Sequence, residues 1–377
     1  MPRATSDRSR QFDTRISVMF AESGAARVAT RNANFYLETS TMSLARRLWR
    51  FAYWFPRDLA LRTRLGFPQR LIYFGGRGYG DTMLLNTVAH ELHRRHLRTA
   101  ILTDHPAVLR GSPAVSGTLG LRHWRALEAV ARFGGKAQHL PYFLKPQPPT
   151  HDEPADSHII TEMCRRAGIT GRVDLRTYFY LKPSERDRGA RRPRQAAVQV
   201  LGPTSENISP LKIYPAERLA AVVQATAGEI DWVQLGSPND PLLPGALDLR
   251  GRTSVPESAA VLAHSRVFLG SPGFLMHLAR AVECRSAIIF GGRELPRHGG
   301  YSCNENLFAA VPCAPCYRRS DSLHGLDCMN QISVDAVVAA VRHAASRHGE
   351  PLAVDTAEVP AHPVPFPLPW LAANTAP

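Results

Sequence analysis

From residue 70 onward, short apolar runs alternate with segments of helical period. "RLIYFGG", "RTAILTD" and "AQHLPYF" read as strands, with helices near 81–95 and 153–167 and "RTYFYL" closing the block. A basic, proline-containing stretch, "PSERDRGARRPRQ" (183–195), then reads as an interdomain linker. A second alternation follows: "AAVQVLG", a helix near 215–227, "EIDWVQLG", a helix near 256–265, "RVFLGS", a helix near 273–283 and "SAIIFGG". Short strands without polar alternation suit parallel sheets covered on both faces. The pattern predicts an α/β protein of two doubly wound domains, 70–182 and 196–349, with ligands at the strand C-termini between them. Residues 1–69 form an extension. Residues 350–377 form a Pro-rich tail ("VPAHPVPFPLPW") expected to wrap the surface without regular structure.

Charge changes the picture upstream. The 377-residue chain carries a formal +14, and residues 1–70 hold thirteen Arg and no Lys against five acids. Within them, "SLARRLWRFAYWF" places Leu44, Leu48, Phe51 and Phe55 on one side of a helix and Arg46, Arg47 and Arg50 on the other, with Pro56 expected to end it. Such a helix, with Trp49 and Trp54, suits an anionic membrane surface. It equally suits packing on its own domain with a solvated arginine face. No nucleic-acid recognition motif accompanies the charge. No apolar run approaches 18 residues and the N-terminus lacks a signal peptide's apolar core, so the expected place is the cytoplasm, peripheral to the inner face of the membrane. Cysteines in a reducing compartment read as metal ligands or core residues rather than disulfides.

The chemistry-bearing stretch of the first block is "LIYFGGRGYGDTMLL" (71–85), a strand, a glycine turn at Gly76, Gly78 and Gly80, and a helix opened by Asp81. Asp104, ending the next strand, lies where a ribose-binding acid of a dinucleotide fold would sit. Counted from Gly78 and Gly80, however, the third glycine of G-x-G-x-x-G would fall at 83, where Met83 stands. No Walker lysine and hydroxyl pair follows the glycines either. Asp81 at a first helical turn also complements the helix dipole, whatever else it does.

The second block holds "QVLGPTSENISPLKIYPAERLAAV" (199–222), with Lys212 two residues before Tyr214-Pro215, and "LDLRGRTSVPESAAVLAHSRVFLGSPGFLMHLARAVECRSAIIFGGRE" (247–294). A "K-x-W-P"-like element, "L-x-G-x-T-S" before a helix, "M-H-L-A" opening the next, and the N-terminal "G-x-G-D" turn together resemble glycosyltransferase family 9, the heptosyltransferase-like enzymes, over residues 70–345. The resemblance implies a GT-B fold, two Rossmann-like domains facing across a cleft. It implies a nucleotide-diphosphate sugar donor, ADP-linked by preference, on the C-terminal domain. A glycan or lipid-linked acceptor, as in lipopolysaccharide core, would approach from the N-terminal one. Asp81 would be the base that takes the acceptor's proton, giving inversion, with no catalytic cofactor.

A diphosphate leaving without a divalent metal needs fixed cations and helix N-termini. Lys212 is the candidate cation, and "GSPGFLMH" (270–277) opens a helix whose N–H groups suit phosphates, with Ser271, Gly273 and His277 beside it. Arg293 is a further phosphate candidate, or else a surface salt-bridge partner of Glu294 or another acid. The sequence departs from many relatives in carrying Ser271-Pro272-Gly273-Phe274-Leu275 where they have an Asn-Asp-Ser-Gly-Pro run. It also has "FGGRE" for "FGPT" and Tyr214 for tryptophan, so the sugar need not be heptose.

Cys303, Cys313, Cys316 and Cys328 are spaced C-x9-C-x2-C-x11-C, and four thiolates suit a structural zinc or iron. Cys164 and Cys284 sit on apolar helix faces and read as core. "HELHRRH" (90–96) lacks the second metalloprotease histidine, Arg94 standing there, and reads as an exposed helix end. Two other functions stay open: a GT-B epimerase acting on a nucleotide sugar alone, and a catalytically silent glycan- or membrane-binding scaffold.

Overall fold

The computed structural model describes residues 44–360 apart from 76–77, 147–151, 155, 190–191, 206–208 and 319–324. Gly76 therefore lies outside the described residues, as does most of the Pro-rich tail, and the side chains of residues 44–51 are not described.

The first sheet is built from β1 (Arg70–Tyr73), β2 (Thr99–Leu102), β3 (Val115–Leu119) and β4 (Lys136–His139), all parallel, in the order β3-β2-β1-β4. Helices α1 (Leu44–Arg64), α2 (Tyr79–Arg94) and α3 (Arg125–Arg132) belong to this half. Its strands alternate between two cores. Leu71, Tyr73, Ala100 and Leu102 face an outer layer with Leu127 and Val130 of α3, while Ile72 and Ile101 face an inner layer with Met83, Leu84 and Val88 of α2. Burial on both faces is why these strands read as unbroken apolar runs.

A hairpin of β5 (Phe143–Pro146) and β6 (Asp152–Pro154), helix α4 (Ile159–Arg166) and strand β7 (Gly171–Leu175) complete the first domain. "RTYFYL" is therefore not a strand: β7 ends at Leu175, just before it. The segment leading to the second domain contains a short helix, α5 (Pro183–Arg186).

The second sheet comprises β8 (Gln195–Gln199), β9 (Asp231–Leu235), β10 (Leu247–Asp248), β11 (Phe268–Gly270), β12 (Ser286–Phe290) and β13 (Glu305–Phe308). Its order is β10-β9-β8-β11-β12-β13, parallel throughout. Among its helices are α6 (Ala216–Ala225), α7 (Val255–Ala263), α8 (Phe274–Ala281), α9 (Pro296–Gly299), α10 (Asp327–Asn330) and α11 (Val334–Ser346). Each sheet reverses its direction of growth once, between β1 and β4 in the first and between β8 and β11 in the second. Such reversals leave a crevice at the strand C-termini. The two halves are not separate bodies, because the inner core runs continuously from Met83 and Leu84 of α2 to Leu275 and Met276 of α8.

Two expectations are corrected here. Helix α1 does not end at Pro56 but continues to Arg64. Proline there removes one backbone hydrogen bond. Tertiary contacts offset the loss: Leu61 and Leu65 pack on the outer core, and Asp58 is ion-paired with Arg132 of α3. The tail does not lack regular structure throughout, since β14 (Asp355–Val359) pairs antiparallel with β7. Val359 is buried against the first domain, while Asp355 accepts hydrogen bonds from the backbone N–H and hydroxyl of Ser302 in the second. The chain thus returns to clasp the domain it started from.

Candidate active site

At the C-terminal edge of β1 the chain turns through Gly78 into α2, and Asp81 falls in the first turn. The glycine is required by that carboxylate: a Cβ on Gly78 would sit 2.7 Å from Asp81 Oδ2. Asp81 also accepts a hydrogen bond from the Gly78 backbone, so it caps the helix as well as facing the cleft. Gly80, one residue before, lies against Phe274 and His277 at the start of α8, so the glycine turn meets the second domain directly.

Tyr142, following β4 on the other side of the crevice, donates its hydroxyl to Asp81 Oδ1 at 3.0 Å and stacks on Phe74 with ring centroids 5.0 Å apart. Burial pushes the Asp81 carboxyl up to about 6. The Tyr142 and Gly78 hydrogen bonds and the nearby Lys212 and His105 charges oppose that rise without cancelling it.

The opposite wall comes from the second domain. Ser209 caps a short turn, Pro210–Lys212, that follows β8, and Lys212 emerges from it. Lys212 Nζ donates to the Pro272 carbonyl at 3.2 Å and is ion-paired with Glu294, which lies after β12. Desolvation would raise the Glu294 carboxyl, but the Lys212 charge and hydrogen bond, with the Arg293 charge, outweigh it and hold Glu294 below its usual value. Gly273 opens α8 with open space where a side chain would be. His277, on the first turns of α8, pairs with the Tyr301 hydroxyl at 2.6 Å, and burial lowers it to about 3, so it is neutral.

Asp81, Lys212, Gly273, His277, Arg293 and Gly80 thus line one cavity of about 120 Å³, together with Tyr142, Glu294, His298 and Gly299. Ser271 does not line it. That side chain is buried and donates to the Lys212 carbonyl at 2.8 Å, so it holds the lysine-bearing turn in place. Arg293 does not pair with Glu294; its guanidinium donates to the Tyr317 carbonyl at 3.1 Å. Tyr142 and His298 escaped the sequence reading. The signal for Tyr142 was its position just past a strand bordering the topological switch. Nothing in the local pattern marks His298, which only the return of the chain through α9 brings to the cleft.

The sequence profile of glycosyltransferase family 9 (heptosyltransferase) matches residues 125–326, more than half of the chain. The chain belongs to glycosyltransferase family 9. Solved structures agree at the level of fold. A glycosyl transferase of this family from Veillonella parvula is 13% identical with a TM-score of 0.54, covering 74% of this chain and 97% of that one. The iron-containing dodecameric glycosyltransferase TibC from enterotoxigenic E. coli is 14% identical with a TM-score of 0.56, covering 74% and 76%. ADP-heptose lipopolysaccharide heptosyltransferase II from E. coli is 13% identical with a TM-score of 0.53, covering 74% and 99%. No protein of curated function matches the chain in sequence. The fold is accordingly GT-B, and the protein is a transferase by family.

The four-cysteine set expected from spacing is not assembled in this family member. Cys316 and Cys328 meet beside Gly292, whose N–H points to Cys328 Sγ at 3.2 Å and whose carbonyl lies 3.6 Å from Cys316 Sγ. Cys313 packs with Cys328 in the core on one face of the second sheet, whereas Cys303 packs on the inner core at the other face. Among the described residues no group of three or more His, Cys, Asp and Glu side chains is placed to hold a metal ion. Among the described residues Cys303 stands apart from Cys313, Cys316 and Cys328, so the four thiols do not form one set. Cys164 and Cys284 are buried, and burial raises both thiols.

"HELHRRH" closes α2 and is exposed at His93, Arg94 and His96, but its first half is not. Glu91 is buried, ion-paired with Arg94 and Arg95 and accepting the Asp174 N–H, and His90 stacks on Tyr178 at 3.9 Å.

Proposed function

We propose that this protein is an inverting glycosyltransferase. It would move a sugar, heptose or similar, from a nucleotide-diphosphate donor to a glycan or lipid-linked acceptor such as lipopolysaccharide core. The observation that carries the proposal is the pairing of Asp81 and Lys212 across one cleft, from opposite domains, with the carboxyl poised near 6 and the ammonium at the start of α8. A carboxyl ionised just below neutrality is a suitable proton acceptor for a hydroxyl that attacks at neutral pH. As the acceptor oxygen bonds to the anomeric carbon, its proton passes to Asp81. The bond from that carbon to the diphosphate breaks with its electron pair on phosphate oxygen. Lys212, Arg293 and the N–H groups opening α8 are the fixed positive charge for that leaving group. Attack from the Asp81 side and departure on the Lys212 side give inversion. A structure of TibC holds ADP-D-β-D-heptose, which supports an ADP-linked donor as the first to try.

The same proposal places the protein in the cytoplasm, peripheral on an anionic membrane. Tyr53, Phe55, Phe67 and Trp124 are exposed by 38–44% on or beside α1 and α3. Arg57 lies 3.7 Å over Tyr53 and Arg125 lies 4.7 Å over Trp54. The nearby acids Asp58 and Glu128 are both taken by Arg132. Arginines over rings, without carboxylate partners among the described residues, suit phosphate headgroups with aromatics at the interface.

Thermal stabilisation by ADP, GDP, UDP and CMP, with Lys212→Ala alongside, tests the donor site. A ligand at a hundredfold excess over its dissociation constant stabilises the native state by about 2.7 kcal/mol. One nucleotide stabilising the wild type and weakened in Lys212→Ala is the expected result. No shift with any nucleotide overturns the donor assignment and leaves a silent scaffold as the better account.

A further inference from the structure

Among the described residues, one oxygen of the Glu294 carboxylate in the cleft has a hydrogen-bonding partner and the other has none. Oε1 is ion-paired with Lys212. Oε2 accepts no hydrogen bond from any described residue and lies beside Gly299, where an added Cβ would come within 3.3 Å of it. Gly299 lines the same cavity, so the glycine keeps open the space into which Oε2 faces. The Lys212 and Arg293 charges outweigh the desolvation of Glu294 in the cleft and hold it ionised. The Glu294 side chain stays 21% exposed and lines the cavity, so a ligand hydroxyl that donates to Oε2 exchanges water for a charge-assisted hydrogen bond in a partly desolvated site.

The parts of a nucleotide-diphosphate sugar differ in what they offer this oxygen. Phosphate oxygens only accept and carry like charge, so the diphosphate is repelled by Oε2 while it is drawn to Lys212. An ammonium has three N–H donors; two on Lys212 go to Pro272 and Glu294, leaving one for phosphate without breaking the Glu294 pair. The hydroxyls of the transferred sugar donate, and they hang next to the anomeric carbon that Asp81 and Lys212 place in this cavity.

We propose that Glu294 reads the transferred sugar, its Oε2 accepting from one or more ring hydroxyls while Oε1 keeps Lys212 on the diphosphate. Glu294 is then a specificity-determining residue for the donor sugar, and its ion pair ties the sugar's orientation to the lysine that holds the leaving group. This rests on the donor reading of the cleft given above.

The test separates sugar from nucleotide. Dissociation constants are measured by calorimetry for matched pairs, ADP with ADP-D-β-D-heptose, UDP with UDP-glucose and GDP with GDP-mannose, on wild type, Glu294→Gln and Glu294→Ala. For the pair whose nucleotide binds, the nucleotide sugar is expected to lose about tenfold or more in Glu294→Ala, the scale of a hydrogen bond to a charged group. The bare diphosphate should bind as well or better, because Lys212 has lost its internal counter-ion. Glu294→Gln, which keeps an accepting oxygen, should lose less. Retained diphosphate binding also shows that the variants fold. An equal change for diphosphate and nucleotide sugar would mean that Glu294 acts on the nucleoside or only through Lys212, and overturns the assignment while leaving the donor site standing. Failure of every diphosphate and nucleotide sugar to bind the wild type overturns the donor reading itself, and this inference with it.

Discussion

Tyr142 donates its hydroxyl to Asp81 Oδ1 at 3.0 Å, joining the C-terminal ends of β4 and β1 across the switch point of the first sheet. Burial and the neighbouring Asp81 and Glu294 charges push the phenol well above its usual value, so the proton stays on the tyrosine and the bond has one direction. The bond favours ionised Asp81 and works against the burial that lifts it to about 6. Tyr142→Phe should therefore raise Asp81 further and move the acid limb of kcat/KM to higher pH by roughly half a unit to one unit. A pH–rate profile of donor turnover checks this, and a limb that does not move removes Asp81 as the titrating base.

Asp81→Asn should reduce transfer by roughly 10²- to 10⁴-fold, the range lost with a general base, while donor binding persists. The same variant should be more stable than wild type at pH 7–8. Because burial raises the folded carboxyl from 3.8 to about 6, this group's contribution to stability is fully present below about 4 and is lost as pH rises through about 6. The asparagine avoids that loss, on the order of 1–2 kcal/mol given the partial solvent access of the site. Thermal melts at pH 4 and pH 8 should show the gain only at pH 8.

Gly78→Ala isolates geometry from charge. Gly78 has φ −85° and ψ 139°, which alanine adopts without strain, so the new methyl acts only through its 2.7 Å approach to Asp81 Oδ2. Displacing the carboxylate by a fraction of an ångström to an ångström should cost about 10² in kcat. The donor KM and the melting temperature should change little. A variant with wild-type kcat would show that the carboxylate position is not critical.

The membrane reading predicts that a double charge reversal, Arg57→Glu with Arg125→Glu, abolishes co-sedimentation with phosphatidylglycerol-containing vesicles. Neutral phosphatidylcholine vesicles should bind weakly in either protein. Each arginine near an anionic surface contributes about 1 kcal/mol, and the effect should fade as salt is raised. Binding that survives the reversal would place the membrane contact elsewhere on the chain or remove it.

Local pattern made much of this protein legible before folding was considered. Fully buried strands such as Ala196–Val198 and Ile288–Phe290 announce themselves as apolar runs because both faces of the sheet are covered. The glycine–aspartate turn, Lys212 and the start of α8 were visible because each sits where a strand meets a helix, and Asp81, Lys212, Gly273 and His277 do meet in one cavity. Elements whose stability comes from distant partners were not legible. Helix α1 runs past Pro56 because α3 packs along it, and β14 exists because β7 offers it an unpaired edge. Neither partner is close in sequence.

The sequence by itself determined strands β1, β2 and β4 of the first sheet, β8, β9, β11 and β12 of the second, and the type of chemistry at their ends, since these depend on residues a few positions apart. The edge strands β3, β10 and β13 carry no such apolar run. The tertiary structure alone decided which of those groups face one another. It paired Lys212 with Glu294 rather than leaving Glu294 to Arg293, turned Ser271 from the cleft to the Lys212 backbone, and put Cys303 on the opposite face of the sheet from Cys313 and Cys328. The physical reason is the same in each case. Spacing fixes the order of residues along a loop, but the side chain's direction is set by the sheet that the loop leaves and by the neighbours that return to it from elsewhere in the chain.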